Sequence, residues 1–193
     1  MNVARFEKLV FLCCLSGVPA PAIGADGESR NPPGPTVSLV KATSSRTSKG
    51  VVNVDVFVSH IRDLRTYQLQ VEVTGGKRGA LSLQRITVDK SRSDFVFGSD
   101  FVIDAVDEVQ DRVGGLRFSG GKDVGEMGYL ATFQFRATDN ALGTFHVNLR
   151  IGEDTFLLDS HGDLIAFQKG SSLDLSVDRT GAIRDARDAR RPR

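Results

Sequence analysis

The stretch 128–151 constrains the fold more than any other part of the sequence. It contains two runs in which apolar residues recur at every second position, and a polar loop separates the runs. The apolar positions are Ala131, Phe133, Phe135 and Ala137 in the first run and Phe145, Val147, Leu149 and Ile151 in the second. Because successive side chains of a strand point to opposite faces, each run predicts a strand with one buried and one solvated face.

Similar short segments continue along the chain, and none of them has a helical period. Strands are predicted over 36–42, 51–59, 67–73, 81–88, 101–106, 116–118 and 173–177, besides the two above and apolar pieces at 95–97 and 157–167. The phase shift between Leu83 and Ile86 indicates a β-bulge. The glycine pairs at 114–115 and 120–121 predict flexible ends around 116–118. About nine strands without βαβ alternation predict an all-β fold, a two-sheet sandwich or, as the alternative, a barrel.

The first 25 residues predict a secretory signal peptide. Charged residues precede a short apolar run at 9–15, and small residues follow, with a candidate cleavage site at Ala22-Ile23-Gly24. The run is far shorter than the roughly 20 residues of a membrane helix. Both cysteines, Cys13 and Cys14, lie in this segment. The mature chain is therefore expected to be secreted, extracellular or periplasmic, and to contain no disulfide or thiol chemistry.

The remaining chain predicts one domain with polar flanks. A Pro-rich linker is expected over 26–35, a folded domain over 36–178 and a disordered Arg-rich tail over 179–193. The tail has six arginines against two aspartates in a chain of formal net charge +1, so the domain itself is mildly acidic. Nucleic acid is therefore not an expected partner. The tail either only solubilises the protein or makes loose contact with an anionic surface.

Enzyme motifs are absent from the sequence, and no cofactor is expected. His60, His146 and His161 have no HExxH spacing and are predicted to be surface residues. The sequence also lacks a Gly-x-Ser-x-Gly elbow, a phosphate loop and a cysteine nucleophile. The acidic residues Asp104, Asp107, Glu108 and Asp111 offer oxygen atoms to Ca²⁺, but without the spacing of a calcium loop they predict a solvated acidic loop.

The order of several segments resembles the cohesin module of bacterial cellulosome scaffolds. These segments are 52–59, YQLQVEV at 67–73, GYLATFQF at 128–135, GTFHVNL at 143–149 and LDSHGDLIAF at 158–167. GYLATFQF is similar to the family's Gly-x-Leu-Ala-x-Ile-x-Phe strand, and Asp159-x-x-Gly162-x-x-Ile165 is similar to its closing turn. At 73–75 this chain has Val-Thr-Gly where the family usually has Tyr-Asp-Pro. The resemblance spans about 36–178.

The resemblance implies a nine-stranded jelly roll, related in fold to cellulose-binding modules, in which 129–137 and 143–151 lie in different sheets. It also implies a docking sheet built from 143–151, 67–73, 113–119 and 101–106. The side chains expected on its solvated face are Gln68, Gln70, Glu72, Arg117, Ser119, His146, Asn148 and Arg150. Arg117 and Arg150 are the strongest candidates, because a planar guanidinium makes paired bonds and arginine is enriched at interface hot spots.

Three functions are consistent with the sequence. The first is a non-catalytic module that docks a dockerin-bearing or other extracellular protein, with a link to polysaccharide breakdown. The second is a carbohydrate-binding module; the absence of tryptophan argues against a flat aromatic platform, but a cleft that grips one polysaccharide chain through Gln, Asn and Arg stays open. The third is a plain structural module of the cell surface.

Overall fold

The computed structural model of the chain describes residues 33–42, 50–152 and 154–186. These residues form fourteen strands and no helix. In chain order the strands are β1 (Thr36–Lys41), β2 (Val51–Ser59), β3 (Ile61–Leu64), β4 (Thr66–Gly75), β5 (Leu81–Thr87), β6 (Val102–Asp107), β7 (Arg112–Arg117), β8 (Lys122–Val124), β9 (Gly128–Ala137), β10 (Gly143–Leu149), β11 (Phe156–Leu158), β12 (Gln168–Lys169), β13 (Leu173–Val177) and β14 (Ile183–Asp185). The predicted signal peptide lies outside the described residues.

Two sheets form a sandwich. The smaller sheet has five strands in the order β12-β1-β2-β9-β5, and the larger has seven, in the order β14-β13-β10-β4-β7-β6 with β11 beside β4. β3 and β8 make a separate two-stranded sheet. The predicted all-β sandwich is confirmed. β9 and β10 follow each other in sequence but belong to different sheets, as the family resemblance implied.

The apolar positions of the alternating strands meet in one core. Phe135 of β9 and Val147 of β10 are 1% and 0% exposed, and they come from the two facing sheets. The bulge predicted in β5 is present as a register shift between Leu83 and Arg85. The apolar piece 95–97 is a loop rather than a strand, and its three side chains are all buried in the same core.

The glycines at 114 and 115 lie inside β7, so the prediction that they form a flexible end is wrong. They pair with Gln68 and Tyr67 of β4. A Cβ atom on Gly115 would lie 2.5 Å from Cε1 of the buried Tyr67 ring, whose hydroxyl donates to the Leu130 carbonyl over 3.2 Å. The glycine is therefore required by the close approach of an aromatic ring, which the local sequence does not show.

We expect Gly115→Ala to lower the free energy of unfolding by about 1–3 kcal/mol, because the added methyl group must displace the Tyr67 ring in a packed core. Urea unfolding of the variant measures the loss. Gly125→Ala is the matched control, since nothing lies within 4 Å of a Cβ at that position. Equal stability of the two variants would contradict the packing of Tyr67 on Gly115.

The folded part extends beyond the predicted boundary at 178. Asp178 Oδ1 accepts hydrogen bonds from the backbone N–H groups of Thr180 and Ala182, and Gly181 has a φ of 75°. This turn leads into β14, which pairs with β13 through Ser176 and Arg184. The prediction that 179–193 is disordered is therefore wrong for 179–186, because Asp-x-x-Gly turn chemistry returns the chain to the sheet edge. Residues 187–193 lie outside the described residues.

Candidate functional site

The outer face of the seven-stranded sheet brings most of the predicted interaction residues together. Directly opposed residues of neighbouring strands share a face of the sheet. Glu72 of β4 is opposite Asn148 of β10, and His146 of β10 is opposite Asp174 of β13. The neighbouring positions Val147 and Leu149 point into the core and are buried. The solvated face predicted for β4 and β10 is therefore the face that the sheet presents outward.

The side-chain amides of Gln68 and Gln70 lie on this face but are already engaged. Gln70 is only 8% exposed, and its Nε2 donates to the Gln110 carbonyl over 2.8 Å. Gln68 Nε2 donates to the Asp154 carbonyl over 3.0 Å. Both amides hold neighbouring loops against the sheet. We therefore correct the expectation that Gln70 is an open contact residue, because its side chain is buried and its Nε2 is already bonded.

Arg117 does not lie on the outer face. It is opposite Val102 of β6, and Val102 is buried in the core, so both side chains lie on the inner side at the end of the sheet. Arg117 Nε donates to Asp100 Oδ2 over 2.8 Å, and its NH1 donates to the carbonyls of Gly120 and Gly121. The prediction that Arg117 lies on the solvated face of the sheet is therefore wrong, because its guanidinium is held by contacts within the chain.

The remaining predicted residues differ in how free they are. Glu72 and Arg150 are exposed, and Arg150 continues the ladder beyond β10 by donating its backbone N–H to the Gln70 carbonyl over 2.8 Å. His146 Nδ1 lies 2.7 Å from Asp174 Oδ1. Asn148, which lies between His146 and Arg150 along the chain, is half-buried. Ser119 is exposed but follows the end of β7, so it is not part of the strand surface.

The other end of this face is apolar, and the sequence did not predict it. Phe101, Ile103 and Phe118 are 73%, 51% and 52% exposed. The rings of Phe101 and Phe118 have centroids 5.4 Å apart, and Ile103 is opposite Leu116. We call Phe101, Ile103, Leu116 and Phe118 the apolar cluster. The signal was ambiguous in sequence, because both alternating sets of the segment 101–106 contain apolar residues.

Three of the four acidic residues considered for calcium make separate contacts. Asp104 pairs with Lys90 over 2.7 Å, and Asp107 pairs with Arg112 over 3.4 Å. Glu108 Oε1 accepts the backbone N–H of Ile86 over 3.1 Å. Burial raises the pKa of Asp111. The carboxylates of Asp104, Asp107 and Glu108 thus already contact a cation or a backbone donor, which favours the structural interpretation over a calcium site.

The histidines lie at the positions that the sequence suggested. His60 is in a turn with a φ of 54°, and His161 is exposed in the turn after β11. His161 Nδ1 lies 3.8 Å from Asp63 Oδ2 and 4.0 Å from Asp159 Oδ1. Hydrogen bonds from Ser160 lower the pKa of Asp63. The lowered pKa of this half-exposed carboxyl group is therefore explained by its hydrogen bonds with Ser160.

The described part of the chain contains no helix that is long and apolar enough to cross a bilayer.

Comparisons with known proteins identify the fold. No protein-family model and no curated protein matches the chain. Among solved structures, a type II cohesin domain from the cellulosome of Acetivibrio cellulolyticus covers 74% of this chain and 95% of its own at 14% identity, with a TM-score of 0.51. CaCohA2 from Clostridium acetobutylicum covers 76% and 92% at 13% identity, also with a TM-score of 0.51. At such identities the likeness is one of fold.

Proposed function

We propose that this chain, whose described part has the cohesin fold, is a non-catalytic binding module that docks a dockerin-bearing or other extracellular protein. The docking surface is the outer face of the seven-stranded sheet. The same proposal places the protein outside the cytoplasm, since residues 1–25 have the layout of a secretory signal. The proposal also includes a link to polysaccharide breakdown, which is based on the resemblance to scaffold modules.

The apolar cluster is the observation that supports this proposal most directly. Large apolar side chains on a strand face stabilise the sandwich only when they are buried, and Phe101 is nearly three-quarters exposed. A group of such residues rimmed by polar ones is typical of a protein-binding surface. Full burial of a Phe or Ile side chain contributes about 1.5–3 kcal/mol, so covering this cluster provides a substantial part of a docking free energy.

The polar half of the face is suited to orient the partner. Glu72, Asn148 and Arg150 project from paired strands, whose backbone hydrogen bonds fix their positions before binding. Contact therefore restricts the rotamers of these side chains but does not have to order the backbone that carries them. Apolar contacts that contribute binding energy, beside polar contacts that contribute specificity, are the usual division in protein interfaces.

A sheet-face docking surface of this kind requires no reacting group. Besides Glu72, Asn148 and Arg150, the polar side chains on the face include Gln68 and Gln70, bonded to loops, and His146, paired with Asp174. The composition of the face supports the non-catalytic part of the proposal. The outer face of the seven-stranded sheet mainly offers a partner exposed apolar area, rather than a nucleophile beside a base.

Capture of a partner by matched variants tests the proposal. The chain is immobilised and exposed to the secreted proteins of its source, and a retained protein with dockerin-type calcium loops is identified by mass spectrometry and then purified. We expect Phe101→Ala/Phe118→Ala to weaken its binding by about 30-fold or more, because hot-spot residues contribute about 2 kcal/mol or more. Met127→Ala removes an equally exposed apolar side chain outside this face and is the control.

The result can contradict the proposal in two ways. If a dockerin-bearing partner binds wild type and the Phe101→Ala/Phe118→Ala variant equally well, the docking face is wrong. If soluble glucans or xylans displace the retained material and the Phe101→Ala/Phe118→Ala variant also fails to retain it, the module binds carbohydrate rather than protein at this face. In each case the thermal melt of the variant shows whether the fold has been kept.

A further inference from the structure

A second surface, on the opposite sheet, has the properties of a ligand pocket. It is a concavity of about 550 Å³ on the outer face of the five-stranded sheet. Its lining residues are Ala42, Asn53, Asp55, Thr87, Asp89, Arg92, Tyr129 and Thr132. We call it the polar pocket. Its volume lies within the range of about 300–1,000 Å³ that is typical of small-ligand sites.

Strand alternation places the polar side chains of this pocket on one face. Asn53 and Asp55 of β2 are opposite Gln134 and Thr132 of β9, and all four point outward while the valines between them enter the core. Gln134 Nε2 donates to Asn53 Oδ1 over 3.1 Å. The floor of the pocket is thus a pair of rigid strands.

A buried carboxylate forms the centre of the polar pocket. Asp55 is only 7% exposed; its Oδ1 accepts from Thr132 Oγ1 over 2.6 Å and its Oδ2 from Arg92 NH1 over 2.8 Å. Replacing a buried ion pair by well-packed apolar residues often leaves stability unchanged or increases it. The burial of Asp55 with Arg92 is therefore only weak evidence that the pair serves stability. Charged groups fixed in a concave site are more typical of a place where ligands bind.

The wall of the pocket is held as firmly as its floor. Arg92 makes a paired contact with Asp94, both bonds being 2.8 Å, and its guanidinium lies 3.9 Å from the centre of the Tyr129 ring. The loop that contains Arg92 is tied to β9, because Val96 N donates to the Tyr129 carbonyl over 2.9 Å and Tyr129 N donates to the Asp94 carbonyl over 2.7 Å. A ligand would therefore meet groups that are already ordered.

Two side chains of the pocket have a polar atom that makes no hydrogen bond within the part of the chain that the structure describes. Among the described residues, Asn53 Nδ2 has no partner, and Asp89 uses only Oδ1, which accepts from Ser91. Those bonds from Ser91 lower the pKa of Asp89, so its carboxylate is ionised at neutral pH. The pocket thus presents an amide donor and a carboxylate acceptor to solvent, close to the guanidinium of Arg92.

The chemistry of these groups selects the class of ligand. Asp55 and Asp89 outweigh Arg92 in charge, so the pocket disfavours phosphate, sulfate and acidic sugars. The Tyr129 ring is covered by Arg92, which leaves little apolar floor for a hydrophobic ligand. Groups that both donate and accept, as sugar hydroxyls do, match an amide beside a carboxylate. We propose that the polar pocket binds a neutral oligosaccharide.

This inference is independent of the protein-docking proposal. The polar pocket lies on the sheet that contains β2 and β9, and the apolar cluster lies on the sheet that contains β6 and β7. A sugar in the polar pocket would not cover the docking face. The module can then hold a carbohydrate chain and a protein partner at the same time.

Titration by nuclear magnetic resonance tests the polar pocket with defined probes. The ¹⁵N-labelled chain is titrated separately with cellopentaose, xylopentaose, mannopentaose, pentagalacturonate and N-acetyl-lysinamide. We expect at least one of the three neutral pentasaccharides to shift the signals of Asn53, Asp89 and Thr132. The acidic sugar and the lysine derivative should leave these signals unchanged.

Two variants test whether the sugar contacts the side chains of Asn53 and Asp89. Asn53→Ala removes the amide donor, and Asp89→Asn removes the charge while keeping an oxygen that can accept from Ser91. Each should weaken the sugar by about three- to tenfold, the effect of one lost hydrogen bond. Asn148→Ala, the same deletion on the other sheet, should have no effect.

Three results would overturn the inference. The first is that none of the neutral pentasaccharides binds. The second is that the shifts lie outside the polar pocket or persist in both pocket variants. The third is that pentagalacturonate or N-acetyl-lysinamide binds the pocket instead, which would identify it as a site for anions or for cationic side chains. The melting temperature of each variant is measured beside its titration.

Discussion

Phe135→Ala should lower the free energy of unfolding by about 3 kcal/mol, measured by urea denaturation. The Phe135 ring is 1% exposed and lies between Val52 of β2 and Leu83 of β5 on the inner face of the five-stranded sheet. Its removal loses the buried area of an aromatic side chain and leaves a cavity that rigid strands on both sides cannot close.

Phe118→Ala is the matched control, because it deletes the same side chain at a half-exposed position of the other sheet. We expect it to change stability by less than about 1 kcal/mol, as for most surface substitutions. A loss below about 1 kcal/mol for Phe135→Ala would mean that β9 presents its other face to the core. The comparison therefore tests the orientation of the central strand of the five-stranded sheet.

The second large effect is expected from Arg92→Ala, at about 2–3 kcal/mol. The substitution leaves the carboxylate of Asp55 buried with Thr132 as its remaining partner, and it removes both bonds to Asp94. The loss should be smaller than for a fully buried pair, because the Arg92 side chain is 29% exposed. Thermal and urea unfolding give two measures of it.

Arg112→Ala provides a close control. Arg112 has a similar exposure and also pairs with two carboxylates, Asp107 and Asp154, but these are more exposed than Asp55. Exposed ion pairs contribute about 0–1 kcal/mol, so this variant should lose less than about 1 kcal/mol. Adding Asp55→Asn to Arg92→Ala should recover part of the loss, because the amide is neutral. Equal losses in the two arginine variants would show that burial of Asp55 has no energetic role.

The effect of Arg92→Ala should also depend on pH. Arg92 lowers the pKa of Asp94 by donating to its carboxylate. A lowered pKa in the folded state contributes stability above the unfolded value, about 3.9 for aspartate, and that contribution is lost as pH falls through the folded value. The difference between wild type and the variant should therefore narrow below about pH 4. A difference that widens there would contradict the pairing of Arg92 with Asp94.

The candidate docking face shows which side-chain orientations can be predicted from the alternation of residues within a strand. The outward direction of Glu72 and Asn148 follows from alternation within their own strands, and the structure confirms it. Arg117 lies in a segment with two glycines, which lack the side chains needed to recognise an alternating pattern. The face of the sheet on which Arg117 lies was therefore predicted from the family resemblance alone. The structure places it opposite the buried Val102. A short, glycine-rich strand takes its orientation from its neighbours.

Gln70 illustrates a second limit. Alternation correctly predicts that it faces outward, but its amide is used by Gln110, which is 40 residues away. Loop residues that cover a strand are set by the path of the chain and leave no periodic signal. An outward position in a strand is thus a weaker prediction than an accessible one.

The sequence by itself determined the all-β class, the long strands and their buried faces, because a period of two assigns each side chain to a face without reference to the rest of the chain. Tertiary structure alone decided which distant residues meet. Asp55 lies 37 residues from Arg92 and 77 from Thr132, and their contacts require the register of β2 on β9 and the fold of the loop above them. The apolar cluster likewise exists only because β6 pairs with β7. Register between strands is a property of the whole sandwich, so sites built across strands could not be seen in any one segment.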